Sequence, residues 1–396
     1  MIKKLICIIL AILISLLLTG CVLHADDDNP KLDIHENAAY EGNIYDDDNN
    51  AGDKDSFIFT WMTYGEVAVT DTLKDKAAYE KYMGGLFENM KRAGITDCFV
   101  QVRPFADAMY HSENFPESVY AEKAEDFDTF SVIIGVAKRY DVGIHAWINP
   151  YRISSKKLSD DSIYYQWYED YRDDIAEVDS GVYFNPCSLR VQALILAGVD
   201  EIMRSYDVEG IHIDDYFYPI DFGESDKAQY EFYRKNGGSM DISQWRRENV
   251  NALVSAIYLK VKSYGEDKIF SVSPSGNIEK NYSQLYADVA LWCKGGYCDM
   301  VLPQIYFGFE NDALPFEECL EGWLSVTDRK QVILIPGLAL YKRGEADEFA
   351  GSGKDEWKEN DDVISRQIEA IKDKKLQGVA LYSSSYINFS ETFTLE

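Results

Sequence analysis

From Phe57 onward the chain alternates between short apolar runs and longer stretches with helical periodicity. Eight runs have strand character: 57–65 (FIFTWMTYG), 96–102 (TDCFVQV), 143–149 (GIHAWIN), 210–216 (GIHIDDY), 269–274 (IFSVSP), 300–306 (MVLPQIY), 332–340 (VILIPGLAL) and 378–385 (GVALYSSS). Between them, 77–94, 127–140, 190–206, 242–265 and 361–375 repeat apolar residues at three and four positions, which predicts helices. Strands that alternate with helices imply crossover connections and a parallel sheet. Eight is the number that closes a (β/α)8 barrel, and about 340 residues suffice for one. The fold class expected is therefore α/β, a TIM-type barrel. Two connections are long, 103–125 and 150–188, and both follow strands, so both belong to the C-terminal face, where barrel enzymes build their sites. The aromatic-rich part of the second, YYQWYEDYRDDI, fits either the core of a small subdomain or platforms on which sugars stack.

Side chains along a strand alternate between faces. In GIHIDDY, Ile211 and Ile213 suit the helix-covered outside of a barrel, which turns His212, Asp214 and Tyr216 inward. The same split turns His145, Trp147 and Asn149 inward on their strand, Gln101 and Arg103 on another, and Gln304 with Tyr306 on a third. Ser271, Ser273 and Ser275 follow the same rule. Several strands that all become polar at one end predict a polar pocket at the barrel mouth. Amides, arginine and carboxylates suit hydroxyl groups, and aromatic faces suit sugar C–H surfaces. Asp214 and Asp215 stand out, because adjacent carboxylates repel and resist burial, conditions that raise a carboxyl pKa toward that of a general acid.

Outside this region the sequence changes character. MIKK is basic, LICIILAILISLLL is apolar and LTGC follows, the layout of a signal peptide over 1–20 with a lipobox ending at Cys21. Lipid on Cys21 would tether the protein to the membrane, which makes the expected location extracytoplasmic. Residues 21–55 are acidic, Asn-rich and poor in large aliphatics, and read as a lipidated cysteine followed by a disordered tether; 56–396 is the barrel. A formal charge of −29 without a basic run argues against a nucleic-acid partner. Beyond Cys7 and Cys21, the remaining Cys98, Cys187, Cys293, Cys298 and Cys319 have no framework spacing; Cys293 and Cys298 either pair or stay as free thiols. No run has metal-ligand spacing, and no cofactor is implied.

The motifs FVQVRPFADAMY, GIHAWINPYR, FNPCSLRVQ, GIHIDDYFYP, WRRENV, SVSPSG, LYADVALW, VLPQIYFG and PGLALY fall in one order. Together they resemble the glycosyl hydrolase-like 10 family of bacterial glycosylhydrolases, often lipoproteins, from about residue 57 to the end. The first strand departs from the family: FTWMTYGEV stands where an Arg-Gly-Val-Trp-like start is expected. The resemblance implies a (β/α)8 barrel that hydrolyses bacterial glycan strands, with peptidoglycan as the favoured substrate class, and it maps DDYFYP onto Asp214 to Pro219. The quoted motifs add Asp107, Tyr151, Arg152 and Tyr218 to the candidate binding residues.

Three chemistries remain open on the sequence. In substrate-assisted hydrolysis, Asp214 holds the sugar's acetamido group and Asp215 is the general acid. In a two-carboxylate mechanism, Asp214 works with a partner from another loop, Asp107 or Glu310. Metal-dependent hydrolysis would draw on His145 and His212, each alone on its strand and better suited to hydrogen bonding. The alternative to an enzyme is a non-catalytic glycan-binding lipoprotein.

Overall fold

The structure, a computed structural model, describes residues 56–388 and 390–395. The expected signal peptide, Cys21 and the tether over 22–55 lie outside the described residues. Twelve strands are present among them: β1 Phe57–Met62, β2 Asp97–Arg103, β3 Gly143–Ile148, β4 Arg152–Ser154, β5 Ile175–Val178, β6 Gly181–Phe184, β7 Gly210–Ile213, β8 Ile269–Val272, β9 Met300–Val301, β10 Ile333–Leu334, β11 Gly337–Ala339 and β12 Gly378–Tyr382.

Nine of these form a parallel sheet in the order β10-β9-β8-β7-β3-β2-β1-β12-β11. Its two edges, β10 and β11, are consecutive pieces of one run, separated only by Ile335 and Pro336. Ile335 N–H donates to Val301 O on one side at 2.9 Å, and Pro336 O accepts from Ala380 N on the other at 3.0 Å. The sheet therefore closes on itself, and the nine strands are the eight of the sequence reading with the seventh divided. Pro336 divides it, because proline has no N–H to give the ladder. The fold is an α/β barrel of the TIM type.

Alternation along the strands sorts the residues as expected. Val100, Val102, Ile211 and Ile213 point outward into the apolar layer under the helices. Phe59, Trp61, Phe99, Trp147, Met300, Leu302, Ile335 and Ala380 fill the barrel interior. Helices begin where polar side chains satisfy their first N–H groups. Asp75 accepts from the N–H groups of Ala77 and Ala78, Asp128 from Ser131, Ser188 from Val191 and Asp241 from Gln244.

The long connection after β3 carries its own antiparallel sheet, β4-β6-β5. Trp167 packs against Phe115, Tyr171 and Phe184, with ring centroids 5.1–6.3 Å apart, so these aromatics are the core of that subdomain. The connection after β7 is held by one buried ion pair. Arg246, from the helix Ile242–Lys262, grips both carboxylate oxygens of Asp226 at 2.6 and 2.8 Å and also donates to Gly223 O. Cys98, Cys187, Cys293, Cys298 and Cys319 are all free thiols, which settles the question left open for Cys293 and Cys298.

Candidate active site

β7 ends at Ile213, and Asp214 and Asp215 are the next two residues, at the floor of a cleft of about 850 Å³. The cleft occupies the C-terminal mouth of the barrel. Asp214 is almost fully buried, at 3% exposure. In the register of the sheet, Trp147 on β3 lies beside His212 on β7, so its indole reaches one step higher. There Trp147 Nε1–H donates to Asp214 Oδ2 at 2.9 Å, and Tyr216 N–H donates to Oδ1 at 3.3 Å. Burial, with the neighbouring Asp215 charge added, pushes the Asp214 carboxyl up to about 7, against the pull of Arg152 and of the Trp147 bond. Burial also raises Asp215, while a Gln304 hydrogen bond and the charges of Lys280 and Arg152 pull it down. Two interacting carboxyls of this kind titrate as a pair, and the raised pKa of each favours one proton held between them.

Behind the pair runs a line of fixed polar contacts. Trp61 Nε1–H donates to His212 Nε2 at 3.0 Å. Because indole is only a donor, Nε2 must be unprotonated, which leaves Nδ1–H to donate to Ser271 Oγ at 2.8 Å. Burial, with His145 nearby, holds the His212 pKa well below its ordinary value, so the ring stays neutral. Gln304 Nε2 donates to Ser273 O at 3.0 Å and to its Oγ at 3.3 Å, which orients the amide beside Asp215. His212 positions Trp61 rather than facing the cleft. Exchanging it for Phe should strand the Trp61 N–H and the Ser271 hydroxyl. Urea unfolding of His212→Phe is expected to show a loss of about 1–3 kcal/mol.

Of the residues singled out in the sequence, Trp147, Asp214, Asp215, Tyr216, Tyr218, Ser273, Gln304 and Tyr306 line the cleft. Others lie away from its surface. His145 sits deep in the barrel near Asp97, with Nε2 3.5 Å from Oδ1, and packs on Phe99. Gln101 Oε1 accepts from Tyr64 N–H, and Arg103 donates to Asn149 O beneath the ring of Phe115. Asn149 Oδ1 accepts from the N–H groups of Tyr151 and Arg152 in a turn, and Tyr151 is fully buried. Asp107 accepts from Tyr164 Oη–H and Phe105 N–H, which makes it a brace inside its loop. Glu310 is also absent from the cleft wall; its backbone N–H donates to Glu356. The reason is common to β2 and β3. Their ends are roofed by their own long connections, so polar residues there face protein rather than solvent. Arg152 stands at the margin, its guanidinium 4.1 Å from the Tyr216 ring centre and 4.7 Å from that of Phe105.

The rest of the wall escaped the sequence reading. Trp61 and Thr63 come from the divergent first strand, and Tyr341, Tyr382, Ser383, Ser385 and Tyr386 from the last two. Tyr306, Tyr341 and Tyr382 pack with ring centres 5.7–6.0 Å apart and form an aromatic wall. A signal existed, since YSSSY turns polar at a strand end just as DDYFY does. Ser180 and Tyr183 enter from the small sheet, and Lys280 and Leu285 from the connection after β8. Asp221, the third carboxylate on the wall, accepts from both the N–H and the hydroxyl of Ser180. Among the described residues, no group of three or more His, Cys, Asp or Glu side chains is placed to hold a metal ion.

Comparison with known proteins identifies the family of the chain. The family model described as Glycosyl hydrolase-like 10 matches residues 64–352. The chain is 30% identical over 314 residues to the glycosyl hydrolase YngK of Bacillus subtilis, a match that covers 72% of this chain but only 60% of that relative's length. It is 27% identical over 369 residues to the glycosyl hydrolase DigH of Escherichia coli K12, covering 84% of this chain and 82% of the relative. Among solved structures, the PgaB (BpsB) glycoside hydrolase domain of Bordetella bronchiseptica superposes with a TM-score of 0.57 at 11% identity, over 84% of this chain and 95% of that one. At that identity the likeness concerns the fold.

Proposed function

The chain belongs to the glycosyl hydrolase-like 10 family, and from that premise we propose that it is an extracytoplasmic glycoside hydrolase that cleaves N-acetylated bacterial glycan strands, peptidoglycan in particular. The observation that carries this reading is the adjacent Asp214–Asp215 pair, raised in pKa at the floor of an aromatic-walled cleft. Two flanking carboxylates about 5–5.5 Å apart or farther would be needed for the usual retaining or inverting mechanisms. Asp107 is engaged inside its loop, Glu310 is not on the cleft wall, and Asp221 is tied to Ser180. Substrate assistance needs no second flanking carboxylate, because the sugar's own acetamido oxygen attacks the anomeric carbon.

In this mechanism Asp215, the half-buried member beside Gln304, protonates the departing glycosidic oxygen as the C–O bond breaks. Asp214, held by Trp147 and the Tyr216 N–H, accepts the acetamido N–H and stabilises the positive charge that spreads over the oxazolinium ring. That growing positive charge favours ionised Asp214, which leaves the shared proton on Asp215 where it is needed. Water activated by Asp215 then opens the ring. Trp61, Tyr306, Tyr341 and Tyr382 supply apolar faces for sugar C–H surfaces.

Incubation of the purified protein with glycan strands, with and without stem peptides, tests the reading by mass spectrometry. New reducing ends are expected. Anhydro ends would replace hydrolysis with lytic chemistry, and retention on the strands without any product would make this a glycan-binding lipoprotein. We further propose that lipid on Cys21 tethers the barrel outside the membrane; Cys21→Ser should then move the protein from the membrane fraction to the soluble one.

A further inference from the structure

The cleft of this acidic protein contains one cation among its described lining residues, Lys280. Its backbone belongs to the short helix Ile278–Ser283 after β8, where Asn277 caps the Lys280 N–H. The ammonium itself has no hydrogen-bond or ion-pair partner among the described residues. Elsewhere in the molecule lysines facing carboxylates close the gap, as Lys262 does with Asp299 at 2.6 Å and Lys342 with Asp347 at 2.6 Å. Lys280 is near enough to Asp215 for its charge to be felt there, yet it makes no ion pair with it. A lysine left unpaired on the wall of a cleft with three carboxylates has charge to give to a ligand. Beside it, Leu285 donates its backbone N–H to Lys280 O and lies on the same wall. A cation and an aliphatic group are thus adjacent on one side of the acid pair.

We propose that Lys280 is a specificity-determining residue that binds a carboxylate carried on a short apolar arm of the sugar next to the bond cleaved, with Leu285 against the arm. This inference rests on the hydrolase reading and names a feature of its substrate. A glycan in which that carboxylate is free pairs with Lys280; one in which it is amidated, or one that lacks the arm, leaves the ammonium unpaired. The rest of the cleft is acidic, so an anionic group is favoured only at this position. Loss of a charged partner from a recognition site is ordinarily worth about tenfold or more in discrimination.

The test compares selectivity rather than rate. Wild type, Lys280→Met and Lys280→Arg are given three glycans of equal length: N-acetylglucosamine oligomers, strands alternating with N-acetylmuramic acid whose lactyl carboxyl is free, and the same strands with that carboxyl amidated. The readout is the ratio of kcat/KM for the free-acid strand to that for each neutral strand. In Lys280→Met the ratio is expected to fall at least tenfold, with much of it restored in Lys280→Arg. A ratio that stays within twofold of wild type, however far the individual rates move, overturns the proposal and leaves Lys280 only an electrostatic influence on Asp215. If wild type cleaves none of the three, the hydrolase reading has failed; the same ratio taken from dissociation constants by calorimetry then decides the role of Lys280 independently.

Discussion

Asp214→Asn and Asp215→Asn should each lower kcat by about 10²–10⁴-fold on a glycan substrate, while the far-UV circular dichroism stays that of wild type. The loss follows from what each carboxyl contributes. Asparagine at 215 has no proton to give the leaving oxygen. Asparagine at 214 still accepts the Trp147 N–H, so the fold tolerates it, but it has no negative charge for the oxazolinium ring. The double variant should lose little beyond the worse single one, because groups that act as a unit are not additive. Wild-type activity should also fall as rising pH takes the shared proton off the pair. A single variant that keeps more than a tenth of wild-type turnover would remove that aspartate from the chemistry.

The second expectation concerns stability and has the opposite sign. The Asp214 carboxyl moves from its ordinary value of 3.8 to about 7 in the folded protein, chiefly because it is buried. Its folded-state pKa is thus above its unfolded one, so the contribution to stability is fully present below about pH 4 and is lost as pH rises through 7. At about 1.4 kcal/mol per pKa unit over roughly three units, the ionised carboxyl costs about 4 kcal/mol at pH 8, where asparagine costs nothing comparable. Thermal or urea unfolding should therefore find Asp214→Asn close to wild type at pH 4 and increasingly more stable toward pH 8. An inactive variant that is more stable than the enzyme it came from is what a strained catalytic group predicts. Equal stability of the two proteins at pH 8 would mean that Asp214 is solvated or paired in the folded state.

Periodicity alone was enough for the barrel. Runs such as FVQVR and GIHIDD keep apolar and polar residues on opposite faces, and helices separate them, so the parallel arrangement follows from local pattern. The same alternation located Asp214, Trp147, Gln304 and Tyr306 at the mouth, because a strand's inward face is fixed by its period of two; Asp215, of the opposite parity, reaches the cleft because β7 ends at Ile213. It did not say how far along that face the mouth begins. His145 and His212 obey the alternation and point inward, yet they lie at levels filled by Phe59, Phe99 and Trp61. Depth depends on how the strands are staggered against one another, and stagger is a property of the closed sheet.

What covers each strand end was equally beyond local pattern. Arg103, Asp107, Asn149 and Tyr151 sit where barrel enzymes keep their sites, but the connections that follow β2 and β3 fold back over them. Conversely, Lys280 comes from a short helix that falls between the quoted motifs, Leu285 from the start of LYADVALW, and Ser180 and Tyr183 from a three-stranded subdomain. The sequence by itself determined the alternation of elements, the inward face of each strand and the adjacent acid pair, since all three depend on neighbours along the chain. Only the tertiary structure decided which inward groups meet solvent, which carboxylates stand within reach of one another and that a lysine is left unpaired beside them, because those depend on segments that are distant in sequence and brought together by closure of the barrel.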